Sequence, residues 1–89
     1  MNKILPERLT LATVNEYAQD IGDALGVDWN VVSLAEFTRG LAVELEHGSR
    51  DPETNVSNDN PLVTGKIALA HLYELANYYT RLDKMEKGK

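Results

Sequence analysis

The sequence has no cysteine, and it has only nine basic residues against fourteen acidic ones. The first absence removes disulfide scaffolds, thiolate zinc sites and cysteine nucleophiles together. The second leaves a net charge of -5. A field of that sign repels phosphate backbones and anionic lipid surfaces, so no nucleic-acid partner is expected. Long apolar runs are missing as well. No stretch approaches the roughly 20 apolar residues that a membrane span needs, and the opening MNKILPERLT lacks the apolar core of a secretory signal. The expectation is a cytoplasmic protein with no membrane partner.

What is present reads as helix. The chain of 89 residues suits a single domain, residues 1–89, ordered from about 8 to 86 with frayed ends, because two halves could not each bury a core. A domain this small gains from a partner subunit, which leaves a homodimer open. Two-residue alternation is absent. The fold class expected is all-α, a small bundle of three to four helices with a long ordered loop between helices two and three.

Leu11, Val14, Ala18, Ile21 and Leu25 recur at three- and four-residue steps and define a first helix over about 8–25. Thr10 is its candidate N-cap, and Gly26 supplies the left-handed residue that ends it. The connector GVDWNVV carries the only tryptophan, Trp29, expected to plug the core while Asp28 or Asn30 closes a local turn. Ser33 and Glu36 have the S-x-x-E spacing of a capping box. Leu34, Phe37, Leu41 and Leu45 then make the stripe of a second helix, and Gly48 is placed to stop it.

Residues 49–61, SRDPETNVSNDNP, are turn-forming types throughout, a loop expected to be fixed by side-chain bonds from Asp51, Thr54 and Asn55. Asn60 and Pro61 are an N-cap and N1 pair. Beyond them Leu62, Gly65, Leu69, Leu72 and Ala76 share one face, and Ile67, Ala68, Ala70 and Leu75 widen it. Helix three is therefore expected to be the central, most buried element. Asn77 is a candidate cap for a last helix that points Tyr78, Leu82 and Met85 inward, the alternative being one kinked helix.

Taken together, LGVDW from Leu25, ELEHG from Glu44, DPETNVSNDNP from Asp51, TGKIALAHL from Thr64 and YYTRLDKME from Tyr78 resemble a family of short bacterial and phage helical proteins described as a domain of unknown function. The likeness spans roughly residues 20–86. It implies the helical fold and assigns no activity.

Several constellations could carry chemistry. Glu44 and His47 stand three apart, as do His71 and Glu74, and paired Glu/His steps on facing helices are one way bundles hold a divalent metal. Alternating oxygen side chains from Asp51 to Asp59 imitate a calcium loop, but Val56 and Leu62 replace the hinge glycine and the bidentate glutamate. Thr64-Gly65-Lys66 lacks the strand and glycine-rich loop of a phosphate site. His71 with Glu74, or with Tyr78 or Tyr79, could form an acid-base dyad, although so small a domain seldom encloses a substrate pocket. Tyr73, Tyr78 and Tyr79, with Arg81, form an aromatic cluster of the kind that anchors interfaces. The reading favoured is a non-catalytic interaction or regulatory module with a protein partner, no catalytic residues and no cofactor. The alternative is a metal-binding module using Glu44, His47, His71 and Glu74.

Overall fold

Helix termini are set by where the first and last backbone groups find partners, and in this chain the threonines of the opening segment compete for them. The computed structural model describes residues 4–46 and 60–87. It contains four helices, α1 Val14–Ala24, α2 Leu34–Glu46, α3 Pro61–Glu74 and α4 Tyr78–Lys87, and no strand among the described residues.

α1 begins later than its periodicity suggests. The Thr13 hydroxyl reaches back to the Thr10 carbonyl at 3.2 Å and accepts from the Thr10 N–H at 3.2 Å, closing a turn instead of capping the helix that follows. Threonines do this because a short hydroxyl can bond nearby backbone as well as a helix can. The turn swings Leu11 outward, 51% exposed, and Leu9 takes the core position in its stead. The far end matches expectation. Gly26 adopts φ 76°, the Gly26 N–H donates to Asp23 and the Val27 N–H donates to Gly22 at 2.9 Å, the paired bonds of a Schellman motif.

In the connector, the Asn30 N–H donates to the Asp28 carboxylate at 2.9 Å, which is the local turn the sequence indicated. Trp29 donates from Nε1 to Asp23 at 2.8 Å and meets Phe37 edge-on with ring centroids 5.6 Å apart. Its ring lies over Gly22, where a Cβ would stand 2.3 Å from the indole. Only a glycine admits that approach.

Ser33 accepts the Glu36 N–H at 3.3 Å, one half of the expected capping box. The Glu36 carboxylate is used elsewhere: it accepts the N–H and the hydroxyl of Thr80, in the first turn of α4. Phe37, Leu41 and Leu45 are buried as expected, whereas Leu34 is 39% exposed. Asn60 caps α3 through bonds from the Leu62 and Val63 N–H groups at 3.0 and 3.1 Å, with Pro61 at the first position.

Leu75 is extended, φ -151° and ψ 108°, so α3 and α4 are two helices and not one with a kink. The Asn77 carbonyl opens α4 by accepting the Arg81 N–H at 3.0 Å. The inward face of α4 is turned from the one expected: Tyr79 is buried, Leu82 is partly buried and Met85 is 68% exposed.

As expected, α3 has more buried residues than any other helix, but it shares the central position with α2. α2 and α3 together form the centre, each packed on the other and on both α1 and α4, while α1 and α4 do not meet among the described residues. α3 buries Thr64, Gly65, Ala68, Leu69 and Leu72 but leaves Leu62, Val63 and Tyr73 exposed, and Leu75 is exposed just beyond its end. Even three neighbouring helices cover so wide an apolar arc only in part. Gly48, His47 and the loop up to residue 59 lie outside the described residues.

Candidate functional site

A buried phenol must find an acceptor, and Tyr79, 1% exposed, finds a carboxylate. Its ring occupies the space over Gly40 of α2. From there the hydroxyl donates to Glu44 Oε2 at 2.7 Å. His71 Nδ1 completes the cluster from α3, 3.0 Å from the Tyr79 oxygen and 3.1 Å from Glu44 Oε2. Since the phenol gives its single proton to Glu44, its oxygen is left to accept, which makes Nδ1 of His71 the donor. The imidazole also stacks on Tyr78, with centroids 4.6 Å apart and planes within 6°.

Burial pushes the Tyr79 hydroxyl well above the usual tyrosine range, and the bond to Glu44 and that carboxylate's charge push it further, with smaller contributions from Tyr78 and Glu36. A phenol held so firmly protonated is neither a nucleophile nor a base. The cluster ties α2, α3 and α4 to one another, each donor answered by an acceptor within it.

Of the four residues read as metal ligands, Glu44 and His71 come together, Glu74 is exposed on α3, and His47 lies outside the described residues. Among the described residues no three histidine, aspartate or glutamate side chains gather to hold a metal ion. The aromatic cluster divides. Tyr79, expected on a contact face, is in the core because its hydroxyl has an interior acceptor. Tyr78 is half-buried against His71, and Arg81 is exposed.

Tyr73 is the one that faces water, 65% exposed. It borders two shallow depressions. One, of about 190 Å³, is formed with Val31, Val32, Leu72 and Ala76; the other, of about 350 Å³, with Leu25, Lys66, Leu69 and Ala70. Val31 is itself 68% exposed. The groove between α2 and α4, about 250 Å³, differs in carrying Arg39, Asp83 and Glu86 on its walls.

Fold and site thus define a small all-α domain in which a polar cluster of Glu44, His71 and Tyr79 joins three helices and α3 leaves apolar side chains on its outer side. Residues 18–88 match the family described as Protein of unknown function (DUF5661), and the chain belongs to that family. No curated protein and no solved structure matches it. No helix among the described residues is long and apolar enough to cross a membrane.

Proposed function

We propose that this chain is a non-catalytic, cytoplasmic interaction module that works through protein contacts, and that its contact face is the outward side of α3 centred on Tyr73. The observation that carries this reading is the position of Tyr73, 65% exposed between two apolar depressions. An aromatic ring of large area and few rotatable bonds is the side chain that most often anchors a protein interface. Apolar area left beside it lends the free energy of contact. The net charge of -5 argues for protein over nucleic acid as partner. A photoreactive phenylalanine analogue at position 73, in the full chain inside cells, is expected to give a crosslinked species of one defined mass, and the same analogue at Lys84 none. Recovery of only uncrosslinked chain from position 73 would end this reading.

A second reading, a divalent metal held by Glu44 and His71, is favoured by one observation: a carboxylate oxygen and an imidazole nitrogen 3.1 Å apart on two helices, both ordinary metal-ligand types. On this reading, titrating the protein with zinc displaces the Tyr79 donor and moves the His71 ring resonances at stoichiometric metal. Resonances that stay in place through a tenfold excess, about what a weak site needs, would dismiss it.

A further inference from the structure

The outward side of α3 is close to being its own complement. Counting from Ala70, Lys66 lies four residues before it and Glu74 four after, and Ile67 lies three before and Tyr73 three after. Lys66, Ala70, Tyr73 and Glu74 are all exposed and Ile67 is half-buried. On a helix turning about 100° per residue these positions straddle the Ala70 line on both sides.

We infer that the partner of this face is a second copy of the chain, docked with its α3 antiparallel about a two-fold axis at Ala70. The inference rests on the interaction reading above and names its occupant. An isologous interface needs every group and its complement on one surface. Here the axis sets Lys66 level with the partner subunit's Glu74, and each copy repeats the pairing at the other end. Lys66 also comes level with the partner subunit's Tyr73, whose ring face attracts a cation. Ala70 at the axis carries no side chain beyond Cβ, so the two helix backbones can approach closely. The depressions beside Tyr73 are present twice, once for each ring.

The charge arrangement favours self-pairing over an unrelated partner. Two chains of charge -5 repel at a distance, so a face that joins them must neutralise itself locally, and one lysine opposite one glutamate does so twice. Exposed ion pairs add little affinity. Their work is to fix register and reject the parallel arrangement, which would set lysine against lysine.

The test uses light scattering on the full chain, with circular dichroism to show that each variant folds. Twice the chain mass is expected for the wild type. Lys66→Glu and Glu74→Lys should each weaken self-association by about tenfold or more, since each sets like charges opposite. An equimolar mixture of the two variants should recover the dimer, and so should the double exchange in one chain. Because the sequence has no cysteine, Ala70→Cys provides an independent reading: on oxidation it should form a disulfide-linked dimer, and Lys84→Cys should not. A monomer at every concentration, a dimer indifferent to both charge reversals, or an Ala70→Cys chain that links no faster than Lys84→Cys would overturn the inference. If position 73 meanwhile crosslinks to a product of some other mass, the interaction reading stands and the second copy is excluded.

Discussion

Replacing Phe37 by alanine should cost about 3–5 kcal/mol, the usual toll for deleting a fully buried aromatic side chain. Phe37 is 0% exposed and stands where three elements converge. Its ring meets the edge of Trp29, and its far atoms lie 3.5 and 3.4 Å from where Cβ atoms would be on Gly22 and Gly65. Those glycines give α1 and α3 no side chain with which to fill the space. The cavity would therefore stay largely open, at the upper end of the expected cost. Domains of this size hold about 5–15 kcal/mol in total, so the variant should melt far below the wild type. Thermal denaturation followed by circular dichroism checks the loss, and Trp29 emission, shifted to the red as the indole loses its neighbour, checks its location. A melting temperature within a few degrees of wild type would mean that the Phe37 ring does not hold α1, α2 and α3 together.

Tyr79→Phe should remove about 1.5–3 kcal/mol, the range for a hydrogen bond to a charged acceptor. The ring over Gly40 is kept, so the loss isolates the hydroxyl with its bonds to Glu44 and His71. The substitution also predicts a pH dependence. The hydroxyl is pushed above its ordinary value in the folded protein, while the unfolded chain releases the same proton near pH 10. Below that pH both states keep the proton and the contribution is complete. Above it the unfolded state binds fewer protons than the folded one, and stability falls as pH rises toward the folded value. The wild type should thus lose its advantage over Tyr79→Phe progressively above about pH 10, measured as urea midpoints across that range. A constant difference between the two would show that Tyr79 does not titrate as a buried donor.

The parts of this structure that were legible in the sequence are those decided within a few residues. Gly26, Ser33 and the Asn60-Pro61 pair act on backbone groups two to four positions away, so their types and spacing sufficed. Phe37, Leu41 and Leu45 follow one helical stripe. What was not legible depends on competition or on partners distant in the chain. Thr10 and Thr13 have two uses for the same hydroxyls, and the choice displaced Leu11 in favour of Leu9. Glu36 fits a capping box, yet a threonine 44 positions on takes its carboxylate. Tyr79 carries no sequence signal of burial, because a tyrosine beside another tyrosine in a charged helix reads as surface. The approach of Glu44 to His71 was foreseeable from helix pairing and that of His71 to Tyr79 from a possible dyad, but the meeting of all three, with the phenol donating to Glu44, was not. Lastly, the breadth of the apolar arc on α3 reads equally well as a central rod or as a helix with one side left for something else.

The diversion of Glu36 has a consequence for how order spreads through the chain. α4 has ten residues, fewer than the roughly 12–15 at which an isolated helix becomes even marginal in water. Its opening turn borrows one carboxylate from α2 and its one fully sequestered ring borrows another. The helicity of the last segment is accordingly an attribute of α2 as much as of its own residues. A probe placed on α4 would report the integrity of an element more than thirty positions upstream.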